Sequence, residues 1–328
     1  MYIIAADVGG TKTRLMLADV DKAANVLYEK RYLCEEFDSF EPLLRTFINE
    51  SELVKGQVDI LALALPGLVN DTSASLTNLP WVIEKQFLKD SFGFKNVYFM
   101  NDFQASAFGT IQLPEKDRVV LNSGSLNSNG LKDNVIRVAV GAGTGLGVAW
   151  VQGDLSAAHA YDTEGGHIDF APVNDTQIEL LQFLQQSFAH VSYERLLSGS
   201  GLVRLYEFCA GKPGINKSGN INAEWVNNQS ENDEAAGRAL SLFVQIYGAY
   251  IGNIALLFKP SGGIFITGGI AAKILKKMQS EEFINAYLDK GRMSALVEQI
   301  AVYLVTNERI GVLGVMSETM KMQRESTK

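Results

Sequence analysis

The chain has 328 residues, too many for one ordinary core, so two domains around a cleft are expected. Its 47% hydrophobic and 20% charged residues are the proportions of a globular protein, and a net charge of -8 leaves no basic face of the kind a nucleic-acid partner requires. The two cysteines, Cys34 and Cys209, lie far apart without metal-ligand spacing, which argues against a disulfide framework or structural zinc and fits a cytoplasmic protein.

Met1 to Asp7 is apolar without a basic start and ends too soon for a signal peptide. No other run approaches a membrane span, so neither export nor a membrane partner is expected. Tyr2–Ala6 and Arg14–Asp19 are short apolar runs flanking Gly9-Gly10-Thr11, the pattern of strand, tight turn and strand. Runs at Ile60–Leu65 and Val97–Met100 alternate with amphipathic stretches at Ser39–Ile48 and Trp81–Ser91, which predicts an α/β domain. Phe103–Ile111 reads as helix, and the Ser/Asn/Gly stretch Asn122–Gly130 as a surface loop. Val135–Val140, the turn Gly141–Gly147 and Val148–Val151 then repeat the opening pattern, laying Gly143-Thr144 over Gly10-Thr11 as in an internal duplication. A helix over Glu231–Phe258, a strand-turn-helix at Gly263–Lys276, a strand at Ala301–Val305 and a last helix from Leu313 complete the order. The expected domains are a small one, 1–112, with a terminal helix 306–328 packing back on it, and a large one, 113–305.

Five places carry residues suited to chemistry. In Asp7-Val-Gly9-Gly10-Thr11-Lys12, the glycines and the hydroxyl let backbone N–H groups approach phosphate oxygens, and Asp7 can hold a magnesium ion through water; the same glycines also suit an ordinary tight turn. Four glycines in the seven positions Gly141–Gly147, with Thr144 beside Gly143 and Gly145, favour close approach to an anion. A dinucleotide fingerprint is disfavoured because Leu146 breaks its register and a strand follows where a helix is required, and no P-loop pattern occurs. Asn101-Asp102 ends an apolar strand and opens a helix, where both residues are good caps. Beside two phosphate-type turns, however, a carboxylate is what phosphoryl transfer to an alcohol needs. Glu164 and His167 flank Gly165-Gly166 and are suited to sugar hydroxyls, since zinc would want more His or Cys ligands nearby. Thr267-Gly268-Gly269 ends a strand and starts a helix, open to the edge of a nucleotide or to a plain turn.

Taken in order, Asp7-x-Gly-Gly-Thr11, Asn101-Asp102-Phe103, Gly141–Gly147, Glu164–Pro172, Glu194-Arg195-x-Leu-Ser-Gly-x-Gly201 and Thr267–Ile270 resemble the bacterial glucokinase family over nearly the whole chain. The zinc-binding cysteine cluster of the repressor/open-reading-frame/kinase sugar kinases is absent from the sequence, and an N-terminal helix-turn-helix like that of the sugar-responsive repressors is not expected. The resemblance implies two ribonuclease-H-like domains of the actin/hexokinase type closing on glucose and ATP, with Mg²⁺, a homodimer and the 6-hydroxyl of the sugar as phosphoryl acceptor. It implies Asp102 as the base, with Asn101, Glu164, His167 and Glu194 on the sugar hydroxyls. Gly10, Thr11, Gly143 and Thr144 would hold phosphates, and Gly268 and Gly269 would lie near the adenosine. Lys12 and the segment Pro66–Asp71 with Asn78–Trp81 depart from the family pattern toward that of the wider sugar kinases. A kinase for another hexose or an N-acetylhexosamine, and a non-catalytic sugar sensor, are the alternative readings.

Overall fold

The computed structural model describes residues 1–22, 25–52, 58–125, 135–214 and 220–326. Two compact units divide the chain: Met1–Pro114 with Ala149–Asp162 and Asn307–Lys328, and Glu115–Val148 with Thr163–Thr306. The sequence boundaries at 112/113 and 305/306 lie within two residues of these breaks, but residues 149–162, assigned from sequence to the large domain, group with the first unit.

In the first unit, β1 (Tyr2–Val8), β2 (Lys12–Asp19), β3 (Asn25–Leu33), β4 (Val58–Leu65) and β8 (Asn96–Asn101) form a sheet ordered β3-β2-β1-β4-β8. The β1–β2 and β2–β3 pairs are antiparallel, and β1–β4 and β4–β8 are parallel. Three short strands, β5 (Gly67–Val69), β6 (Ser73–Leu76) and β7 (Val82–Glu84), make a separate antiparallel sheet. Side chains alternate across a strand. Ile4, Ala6 and Val8 therefore join one core with Phe40, Leu43, Leu44 and Phe47 of helix Phe40–Glu50. Ile3 and Ala5 join the other, with Ala62, Ala64, Ala105, Val312 and Val315. This second face is rich in alanine, which lets helices Asp102–Gly109 and Ile310–Ser326 lie close to the strands and to each other.

A six-stranded sheet takes β9 (Arg118–Asn122), β10 (Ile136–Ala142), β11 (Leu146–Gln152), β12 (His159–Thr163), β13 (Ile264–Thr267) and β14 (Val302–Val305) in the order β12-β11-β10-β13-β14-β9. Both large sheets contain two consecutive strand-turn-strand connections followed by two parallel strands on the far side of the first of these strands, and the second sheet carries β9 in addition, antiparallel to β14 at its edge. The duplication read from two glycine turns is therefore a repeat of topology.

Several predicted elements shift. Trp81–Ser91 is not one helix: β7 occupies Val82–Glu84 and the helix runs Lys85–Phe92. The last helix starts at Ile310, and the predicted loop Asn122–Gly130 falls outside the described residues from 126 onward. Contrary to expectation, helix Glu234–Phe258 is long and apolar enough to cross a membrane, but 72% of its apolar window is buried inside the protein, as in a core helix.

Candidate active site

Strand parity continues from Ile3 and Ala5 to Asp7, which places Asp7 on the alanine-rich face at the carboxyl end of β1. Asp7 pairs with Ala64 of β4, and the next β4 residue, Leu65, pairs with Asn101 at the end of β8. Asp7 and Asn101-Asp102 thus share one sheet edge, where parallel strands present side chains to ligands. Asn101 caps the helix, its Oδ1 accepting from the N–H groups of Phe103 (2.9 Å) and Gln104 (3.1 Å). The cap fixes Asp102 at the first helical position.

Desolvation, then the negative charge of Asp102, pushes the Asp7 carboxyl up to about 7, while Arg14 opposes the shift. Asp7 also rests on the start of helix Ile310–Ser326: a Cβ added at Gly311 would lie 2.8 Å from its Cγ. Between β1 and β2 the Gly9 N–H donates to the Lys12 carbonyl at 2.9 Å, closing a turn that leaves Thr11 and Lys12 exposed and Gly10 half-buried.

In the second unit, the loop after β10 turns at Gly143, whose N–H donates to the Gly145 carbonyl at 2.8 Å. The Gly143 carbonyl accepts from Gly199 N–H at 2.9 Å, at the start of helix Gly199–Cys209. Thr144, between them, is exposed. Thr267 pairs with Gly141, and Gly268 follows with a φ of +84°, where a Cβ would lie 2.5 Å from the Ala142 carbonyl oxygen. The structure therefore brings Gly268 and Gly269 to the end of β10, beside this loop.

Glu164, His167 and Glu194 converge. His167 Nε2 is 3.7 Å from Glu164 Oε2 and 3.9 Å from Glu194 Oε1. Backbone pairing explains the meeting, since Tyr193 N–H donates to Ile168 and Phe170 N–H to Val191, which ties the segment after His167 to the one before Glu194. Among the described residues no group of three or more His, Cys, Asp or Glu side chains is disposed to hold a metal ion.

Sequence reasoning missed the supports of these loops. Tyr247 Oη accepts from Ala142 N–H at 3.2 Å, Tyr250 donates to the Gly165 carbonyl at 2.8 Å, and Asn253 donates to Tyr193 Oη at 3.1 Å. The signal was present as hydrogen-bonding side chains at three-residue spacing on a mostly apolar helix.

The glucokinase family model matches residues 4–322. The glucokinase of Nostoc punctiforme is 32% identical, covering 95% of this chain and 97% of its own. Among solved structures, the glucokinase of an Antarctic psychrotroph matches at a TM-score of 0.78 and 28% identity over 96% of this chain and 98% of its own. A ROK family glucokinase of Streptomyces griseus, solved with glucose and AMPPNP, shares the fold at a TM-score of 0.61 and 19% identity over 96% and 98%. The chain belongs to the glucokinase family, with the actin-like fold of sugar kinases and the activity of ATP-dependent phosphorylation of glucose.

Proposed function

We propose that Asp102 is the base of this reaction and that Asn101, Glu164, His167 and Glu194 bind the hydroxyl groups of glucose. The observation that carries the reading is the convergence of Glu164 and His167, on a loop whose glycines admit a ring close to the backbone, with Glu194 of the Tyr193–Arg195 turn, each carboxylate lying within 4 Å of the imidazole. Asp102 takes the proton of the sugar 6-hydroxyl as that oxygen attacks the γ-phosphorus of ATP. The bond from phosphorus to the β,γ-bridging oxygen breaks, ADP leaves, and the proton passes from Asp102 to water after glucose 6-phosphate departs.

The turns Gly9-Gly10-Thr11-Lys12 and Gly141-Ala142-Gly143-Thr144-Gly145 present N–H and hydroxyl donors to the phosphates, and Gly268-Gly269 adjoin the adenosine. A magnesium ion fits this donor set. Desolvation and the negative charge of Asp102 raise the proton affinity of Asp7, which a divalent cation offsets, and Mg²⁺ is commonly held by one or two carboxylates, water and substrate phosphates. Asp7 would hold it through water; bound there, the ion neutralises charge on the phosphates.

The family resemblance supports a homodimer, and the free thiols of Cys34 and Cys209 suit the cytoplasm. Glucose titration into Glu164→Ala and His167→Ala tests the sugar assignment: affinity equal to the parent in both would remove it. A panel of glucose, mannose, fructose and N-acetylglucosamine in an ADP-release assay then fixes the breadth of acceptors, which the divergent Pro66–Asp71 and Asn78–Trp81 segments bear on.

A further inference from the structure

Tyr247, Tyr250 and Asn253 recur at three-residue intervals on helix Glu234–Phe258, so they lie on adjacent turns of one face. Each reaches a different loop. Tyr247 binds Ala142, at the end of β10 in the phosphate-type turn. Tyr250 binds Gly165, directly after Glu164. Asn253 binds Tyr193, directly before Glu194, and the Tyr193 and Tyr250 rings lie 4.5 Å apart.

Both helix tyrosines are fully buried, and burial pushes their phenols well above the ordinary range, so they stay neutral at any working pH. A tyrosine has few rotatable bonds, and a packed ring delivers its hydroxyl to one place. Ala142 is itself buried, so loss of the Tyr247 hydroxyl would strand its N–H without the acceptor it has now.

We propose that Tyr247, Tyr250 and Asn253 are positioning residues for phosphoryl transfer: one helix face sets the phosphate loop, the sugar loop and the Glu194 turn in mutual register. None of the three needs to touch substrate. The inference rests on the loop assignments proposed above.

Tyr247→Phe and Tyr250→Phe keep the ring and delete one hydrogen bond each. Tyr247→Phe is expected to raise KM for ATP roughly tenfold, equivalent to about 1.4 kcal/mol, with KM for glucose unchanged. Tyr250→Phe is expected to do the reverse, with Asn253→Ala following it, and calorimetric titration with AMPPNP and with glucose should show the same division. Equal losses on both substrates, or a lower melting temperature with neither KM moved, overturn the proposal. Glu164→Ala separates the two possible failures. If it weakens glucose binding and Tyr250→Phe does not, the positioning role falls; if it leaves glucose binding intact, the sugar-loop assignment falls instead.

Discussion

Glu194 Oε2 accepts the backbone N–H of Leu146 at 2.9 Å, which ties a carboxylate assigned to the sugar to the loop assigned to phosphate. A Cβ added at Gly145 would lie 2.5 Å from the same oxygen. Glu194 is 30% exposed and can swing aside, so the damage should fall on ligand affinity more than on folding. Gly145→Ala is expected to raise KM for glucose roughly tenfold while the melting temperature stays near that of the parent. Steady-state kinetics and a thermal melt check both halves.

Asp102→Asn keeps the size of the side chain and removes the proton acceptor. The turnover number should fall by ~10²–10⁴-fold, the usual cost of losing a general base. Glucose affinity measured by calorimetry should remain close to the parent, because the remaining hydroxyl-binding side chains are untouched. Turnover near the parent rate would remove Asp102 from the chemistry.

Glu318 is buried on helix Ile310–Ser326, and its Oε2 has no hydrogen-bond partner among the described residues. Desolvation pushes its carboxyl up to about 7, with Lys321 opposing and Glu325 assisting. The folded protein therefore binds more protons than the unfolded chain between the ordinary carboxylate range and about pH 7, and stability falls as pH rises through that window. Glu318→Gln should gain on the order of 2–4 kcal/mol at pH 8 and little at pH 4. Asp7 shifts in the same sense, so part of the pH slope should survive the substitution. Urea unfolding of both proteins across this range reads the effect directly.

Helices Asp102–Gly109 and Ile310–Ser326 meet through glycines. A Cβ at Gly314 would lie 2.7 Å from the Ala105 carbonyl carbon and 2.9 Å from Gly109 N, and one at Gly109 would lie 2.5 Å from the Ile310 carbonyl oxygen. Backbone cannot yield as a side chain does. Gly314→Ala should cost about 1–3 kcal/mol in a denaturant melt, and activity should fall as well because the displaced helix begins with Asp102.

The chemistry was more legible than its support. Asp7, Asp102, Glu164 and the glycine turns stand out in the sequence because each is a particular residue type at a particular spacing, and the topological repeat was visible in Gly10-Thr11 and Gly143-Thr144. The helix expected at Trp81–Ser91 was misread because Val82–Glu84 has both the alternation of a strand and enough apolar residues for a helical face. Asn101 as a cap followed from local rules, and the structure bears this out with two N–H bonds. Glu194 beside Leu146, and Gly311 beneath Asp7, depend on residues 48 and 304 positions apart respectively, and no local pattern encodes such meetings.

The first unit needs residue 310 and beyond to cover Ile3, Ala5, Ala62 and Ala64. A ribosome delivers those strands hundreds of residues before their cover, so during synthesis an alanine-lined face waits open while Glu115–Val148 and Thr163–Thr306, which make up the second unit, have already emerged. The face that carries Asp7 is therefore completed only after Ile310–Ser326 has been made. One seventeen-residue helix, Ile310–Ser326, thus closes a face begun at Ile3, near the other end of the chain, which makes that face the most non-local part of the first unit.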